Sequence, residues 1–193
     1  MSIVTLVSGG LDSTLMAVLA KEARIEQFPL FVNYGQRFLK RELAACRRSM
    51  RINRLRKPAV ADIGGFGTLI RSGLTDRKLH VVEDAFTPGR NLLFLLLGAS
   101  YAYQVGANAV AIGLLSERTS LFPDQTSEFI IMAQAMLSAC MGRSVKVLTP
   151  LSEFSKHDVV SLARKRKIDG TYSCHMGGQV PCGRCISCRE FYF

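Results

Sequence analysis

The sequence predicts an α/β fold: a doubly wound, five-stranded, mostly parallel sheet followed by a small C-terminal zinc-binding tail. Three observations point there. Short apolar, β-branched runs recur at residues 3–7, 29–33, 59–63, 109–114 and 145–148. Stretches of helical length separate them, the alternation that builds parallel sheets. The first run feeds a glycine-rich turn that opens directly into a helical pattern. The 193 residues suit one domain with an appendage. Composition changes near Asp169, dividing the chain into an α/β domain over residues 1–168 and a Cys/Gly-rich segment over 169–193.

Each element has a local reason. Residues 11–23 carry Leu15, Leu19 and Ala23 at four-residue intervals, one face of a helix. Residues 91–105 and 126–141 also have helical length, and Gly106 suits the end of the first of these. The helix over 155–167 starts on Ser155-Lys156-His157-Asp158, an S-x-x-D capping box. The amino-terminal apolar run lacks a basic start and is broken by Ser8-Gly9-Gly10 and Asp12, which argues against a signal peptide. The apolar run 92–99 is too short to span a bilayer. A cytoplasmic protein with no membrane partner is the expectation.

The net charge of +10 favours anionic partners. Residues 37–57 hold nine basic side chains and one acid, and Arg164-Lys165-Arg166-Lys167 forms a second cluster. Such runs suit a solvated helix face as well as a phosphate-rich ligand or RNA. Charge by itself leaves both open.

Ser8-Gly9-Gly10-Leu11-Asp12-Ser13 is more specific. A strand passing through a glycine turn into a helix aims backbone N–H groups and the positive end of the helix dipole at one spot. Gly9 and Gly10 permit close approach by a ligand, while Ser8, Ser13 and Thr14 offer hydroxyl donors. The lysine of a P-loop is missing, as is the G-x-G-x-x-G of a dinucleotide fold. A plain turn with a helix cap is the simpler alternative. The position favours a ligand, because doubly wound sheets bind at the carboxyl ends of their strands.

The six cysteines divide unevenly. Cys46 and Cys140 stand alone and are expected to be inert core thiols. The spacing Cys174-x7-Cys182-x2-Cys185-x2-Cys188 suits one tetrahedral Zn²⁺ with no open position, hence a structural ion. An iron–sulfur cluster is the alternative occupant. The ion would order a tail too small to fold by itself. His175 is surplus to four thiolates and is expected behind them or on a substrate side.

"SGGLDST" resembles the SGGxDS signature of the N-type ATP pyrophosphatases, the PP-loop enzymes. That resemblance implies a loop that retains pyrophosphate while AMP moves to an acceptor oxygen, which is why no P-loop lysine is needed. Ser8, Gly9, Gly10, Leu11, Asp12, Ser13 and Thr14 would bind ATP, with Asp12 acting through Mg²⁺. Together with the cysteine tail "TYSCHMGGQVPCGRCISC", the chain resembles the 7-cyano-7-deazaguanine synthases nearly end to end. Asn33-Tyr34-Gly35-Gln36-Arg37 followed by Glu42, the motif Pro88-Gly89-Arg90-Asn91, the stretch "LFPDQTSEF", and Pro150-Leu151 with Lys156 match that family's segments in order.

The resemblance implies further site residues. Tyr34, Gln36, Arg37, Arg90, Asn91 and Lys156 would complete the ATP site, with Lys156, Arg90 and Asp12 as the catalytic set. Phe122, Asp124, Gln125 and Glu128 would meet the organic substrate. Arg90 and Lys156 are cations next to helix N-termini, where the dipole disfavours them; a phosphate partner would explain both. The implied cofactors are structural Zn²⁺ and Mg²⁺ with ATP, and the implied assembly is a homodimer.

The implied reaction adenylates the carboxylate of 7-carboxy-7-deazaguanine, after which ammonia displaces AMP and a second ATP converts the amide to a nitrile. Two departures stand out: Phe38 replaces a common His, and Gln125-Thr126-Ser127 replace a Cys-Arg-Pro run next to the substrate. A relative that adenylates the same acid and passes it to a protein amine, as in antiphage systems, is therefore a competing reading. A basic zinc module binding RNA without catalysis is a third, opposed by the intact loop. A tRNA-thiolating enzyme is a fourth, opposed by the lack of a suitably placed cysteine pair.

Overall fold

The computed structural model describes residues 1–116, 122–178 and 180–189. Five strands, β1 (Ser2–Leu6), β2 (Glu26–Asn33), β3 (Ala59–Asp62), β4 (Ala109–Ala111) and β5 (Lys146–Leu148), form one sheet in the order β3-β2-β1-β4-β5. Every pairing is parallel. The chain winds outward from β1 to β3, then crosses to the other side of β1 for β4 and β5. The order therefore reverses between β1 and β4, the place where such sheets bind ligands.

Alternating residues of the central strands feed two cores. Val4 and Leu6 of β1 and Leu30 and Val32 of β2 face α4 (Arg90–Gln104) and α5 (Ser127–Met141), packing with Leu95, Ala99 and Leu137. Ile3 faces the opposite side, against Leu15 and Met16 of α1 (Leu11–Glu22) and Val159 of α6 (Lys156–Lys165). Val7 and Phe31 share that side with Cys46 and Met50 of α2 (Leu39–Ile52). Short helices α3 (Gly65–Leu69) and α7 (Ile186–Arg189) and a 3₁₀ turn at Pro123–Gln125 complete the described elements.

Expected and observed bounds differ in instructive places. β2 begins at Glu26 rather than residue 29, because Glu26–Phe28 pair with β1 before β3 joins at Leu30. Pro29 thus lies where one side of β2 has no neighbour, a place that tolerates a missing N–H. β4 stops at Ala111, although Ile112 N still donates to Leu148 O of β5, and Ile112 and Leu114 both pack in the core and border the cleft described below. The basic run 37–57 is largely α2, whose buried stripe is Ala45, Cys46, Ser49 and Met50. The Ser155 capping box forms as expected: Ser155 Oγ accepts from Asp158 N, and Asp158 Oδ2 accepts from Ser155 N. Gly106 takes a left-handed φ of 72° just past α4.

One expectation needs correction. Cys46 is fully buried, but Cys140 is exposed. It lies on the outer face of α5, which also exposes Ile131, Met132 and Met136. This helix is apolar on both faces, so hydrophobic composition could not tell which one meets the sheet. None of the described helices is long and apolar enough to cross a membrane.

Candidate active site and metal centre

The strand-turn-helix at β1 builds the floor of a cleft of about 360 Å³, within the range of small-ligand sites. Gly9 turns with φ 87°, and a Cβ there would fall 2.6 Å from Glu42 O and 2.7 Å from Cys46 N, so no other residue fits. The hydroxyls close the turn on itself. Ser13 Oγ accepts from Ser8 N at 3.1 Å and lies 3.1 Å from Ser8 Oγ, while Gly10 N donates to Ser8 Oγ at 3.3 Å. The turn is thus shaped before any anion arrives. Thr14 is oriented differently: its hydroxyl donates to Gly10 O at 2.8 Å and is buried against Ser49.

Lys156, the first residue of α6, reaches across to the first turn of α1. Its Nζ donates to Asp12 Oδ1 at 2.8 Å and Oδ2 at 3.0 Å. Sequence reading gave this lysine a phosphate as compensation for its place at a helix start. The structure places the Asp12 carboxylate beside it, and Lys156 is 8% exposed, a depth at which an ammonium requires such a partner.

Arg90 enters from the start of α4, where Gly89 adopts φ 74° to turn the chain. Its guanidinium lies over the rings of Tyr34 and Phe94 at 5.8 and 5.9 Å, and Nε is buried with no partner among the described residues. Asn91 is held by Asp124, whose main-chain oxygen accepts from Nδ2 at 3.0 Å. Asp124 thus shapes the start of α4. Phe122 and Gln125 line the cleft, whereas Glu128 is exposed on α5 outside it. Residues 117–121 of the altered segment lie outside the described residues.

Between these groups lies a buried polar cluster. Gln36 accepts from Tyr34 N at 2.9 Å and donates to Glu42 Oε2 at 3.2 Å. Burial raises the Glu42 carboxyl above its ordinary range, opposed by the Gln36 hydrogen bond and by Arg90. Burial likewise pushes Tyr34 up to about 12. Arg37 donates to Gly73 O at 2.8 Å while lining the cleft.

The cysteine tail forms the remaining wall. The thiol sulfurs of Cys174, Cys182, Cys185 and Cys188 all lie within 4.8 Å of one another, and Cys182 and Cys188 are 3.9 Å apart. A tetrahedral Zn²⁺ bound by four thiolates needs sulfurs about 3.8 Å apart, so the donor set fits. Burial opposes ionisation of Cys182, but N–H groups of Arg184 and Cys185 donate to its sulfur and bring its pKa below the ordinary thiol value. This tail is joined to the glycine loop: Tyr172 N donates to Gly9 O at 2.8 Å. Phe38, the replacement for a family His, packs its ring against Gly177 of the tail.

Sequence reading did not find Ser173 and Ser187, both lining the cleft. Ser187 carried only the signal of lying between two ligands; nothing marked Ser173. His175 was expected behind the thiolates or on a substrate side. It lines the cleft too, and its pKa is pushed down to about 4 by burial and then by the charges of Arg90 and Lys156.

The parallel sheet recurs in solved structures of low sequence identity. The U34-tRNA thiolase NcsA from Methanococcus maripaludis superposes with a TM-score of 0.58 at 16% identity, covering 98% of this chain and 63% of that one. A 4-thiouridine synthetase solved with RNA and ATP superposes with a TM-score of 0.55 at 18% identity, over 95% and 47% of the two chains. These likenesses establish the fold alone. The family model described as "Queuosine biosynthesis protein QueC" matches residues 2–191, and the chain belongs to that family of enzymes. It is 33% identical to the 7-cyano-7-deazaguanine synthase of Oceanobacillus iheyensis and 35% identical to that of Nautilia profundicola, each over 96% of this chain and 89% of the relative.

Proposed function

We propose that this protein makes a 7-cyano-7-deazaguanine from ATP, ammonia and 7-carboxy-7-deazaguanine. The reading is supported by family membership and, above all, by the meeting of the Ser8–Ser13 turn, the Asp12–Lys156 pair and Arg90 around one cleft.

In this reading the substrate is Mg²⁺-ATP. A carboxylate oxygen of the acid attacks the α-phosphorus, and the bond to the β-phosphate oxygen breaks. Negative charge collects on the leaving pyrophosphate, where Ser8, Gly10 and Ser13 receive it with hydroxyl and N–H donors. Lys156, aligned by Asp12, and Arg90, braced on Tyr34 and Phe94, stabilise the acyl-adenylate. Ammonia then displaces AMP to give the amide. The amide oxygen then attacks the α-phosphorus of a second ATP and expels a second pyrophosphate, and loss of AMP and protons leaves the nitrile.

Phe122 and Gln125 contact the heterocycle, with Asp124 holding that wall through Asn91. Cys174, Cys182, Cys185 and Cys188 would hold a structural Zn²⁺, which would order the segment whose Tyr172 N donates to Gly9 O of the loop.

The test is mass analysis of products after incubation with the acid, Mg²⁺-ATP and ammonium. AMP, pyrophosphate and a product of amide or nitrile mass are expected. AMP formation that requires a partner protein in place of ammonium would instead assign the acyl group to a protein amine. No acid-dependent AMP under either condition would overturn the reading.

A further inference from the structure

Most of the basic run 37–57, and all of 164–167, lies outside the cleft. The fold brings the two runs together. Helices α1, α2 and α6 share one side of the sheet and run back against its parallel strands. Their carboxyl ends therefore meet at the edge opposite the cleft. Side-chain bonds tie the three ends into one surface. Lys21 Nζ donates to Asn53 O at 3.0 Å, and Arg166 Nε donates to Glu22 Oε1 at 2.9 Å. Arg48 Nε donates to Gly170 O at 3.2 Å, where Gly170 turns at φ 80° against Ser49 of α2. Asn53 Nδ2 also donates to Asp169 O at 3.4 Å.

Arg24, Arg51, Arg54, Arg164, Lys165 and Lys167 are exposed there, and none forms an ion pair among the described residues. Against these six cations stand Glu22, already held by Arg166, and the exposed Glu26 and Asp169. Three of the six share a backbone feature. Arg24, Arg54 and Lys167 each follow a helix end with a left-handed φ of 56°, 54° and 53°, where glycine is the usual residue. The helix dipole favours cations at a carboxyl end, but it is already served. The last turns of α1, α2 and α6 carry Lys21, Arg51 and Arg164-Lys165. The left-handed cations are in excess of what the helices use.

The chemistry of the surface selects its partner. Helices α1, α2 and α6 contain no Phe, Tyr or Trp, and Ile52 is the one large apolar side chain they expose. A bilayer is bound through apolar residues as well as cations. A protein partner needs an apolar centre, and single-stranded bases need aromatic stacking. A double helix needs none of these. It presents one phosphate charge per about 1.7 Å of its axis and is held by cations. We propose that the joined carboxyl ends of α1, α2 and α6 bind double-helical nucleic acid by its phosphate backbone. The cleft, on the opposite edge, stays open while they do so. This second activity is independent of the acid and of the reaction proposed above.

The test is fluorescence anisotropy of the full-length protein with a short labelled RNA duplex across a salt series. Wild type is expected to bind with log K falling against log salt at a slope of about −5, each phosphate contact supplying about 0.9. The triple variant Arg24→Gly, Arg54→Gly, Lys167→Gly removes charge while giving each left-handed position its preferred residue. Its Tm is expected not to fall, while the slope loses about 3 and affinity drops about tenfold or more. Arg51→Gln with Arg164→Gln and Lys165→Gln should weaken the duplex to a similar extent. Lys40→Gln with Lys78→Gln, exposed cations elsewhere, should leave affinity within about threefold. Wild-type affinity in the glycine variant would make these residues plain helix ends and overturn the proposal. So would an equal loss in the Lys40 and Lys78 control, or a wild-type protein that binds no duplex. A preference for single-stranded RNA, or for phosphatidylserine vesicles, over the duplex would overturn it too. Turnover plays no part in the readout, so the proposed function stands or falls separately.

Discussion

In the Ser8–Ser13 turn, backbone and hydroxyl groups satisfy one another across 3.1–3.3 Å, and the sheet behind them fixes the curve. In the tail, by contrast, four thiols face each other and only a few N–H groups bond to them. Both segments are short and glycine-bearing, and the function proposed above gives each a ligand. The turn inherits its shape from β1 and α1, while the described residues of the tail include no strand and one four-residue helix to hold it. A site carried on regular structure is formed before its ligand; a site carried on loops needs the ion to form it.

The largest test of this contrast is Cys185→Ser. Loss of one thiolate from a closed tetrahedral site should abolish tight metal binding and cost about 4 kcal/mol, lowering Tm by about 8–16 °C. Metal analysis and a thermal melt would check it, and an unchanged melting curve would reject a structural ion. The next effect divides within the turn. Gly9→Ala puts a Cβ against Glu42 O at a left-handed φ and should cost about 2 kcal/mol or more of stability. Ser13→Ala should lower stability by only about 1 kcal/mol yet reduce ATP-dependent pyrophosphate release about a hundredfold, the scale of losing one preorganised donor to a developing anion. A Ser13→Ala variant that turns over normally would contradict the loop assignment.

The smallest effect is that of Glu42→Gln, a probe of the wall behind the turn. Burial raises the Glu42 carboxyl in the folded protein. Its stabilising contribution is therefore present below the ordinary carboxylate range, about pH 4, and is lost as pH rises through the raised folded value. Relative to wild type, the Gln variant should melt higher at neutral pH, with the gap closing as the solution is acidified. A gap independent of pH between 4 and 8 would refute the burial argument.

The alternation of strands and helices was legible because each half-buried element repeats its pattern over many residues. Element ends were less so: β2 begins at Glu26 through pairing with β1, and β4 ends at Ala111, where its pairing with β1 and β5 ends and the next residues border a cleft. Cys140 shows the limit of composition, since α5 offers two apolar faces and only the neighbouring α4 selects the buried one. Within the site, Asp12 and Lys156 were both found, but not their bond. They lie 144 positions apart, and only the juxtaposition of α1 and α6 makes them partners.

The sequence by itself determined the strand-turn-helix that cradles an anion and the four-cysteine spacing, because both are local: a handful of neighbouring residues dictate turn geometry and ligand reach. Only the tertiary structure decided that Tyr172 of the tail bonds to Gly9 of the loop, that Asp12 pairs with Lys156, and that His175 lines the same cleft. Those outcomes depend on burial and on fields from distant segments, and neither exists until the chain has folded.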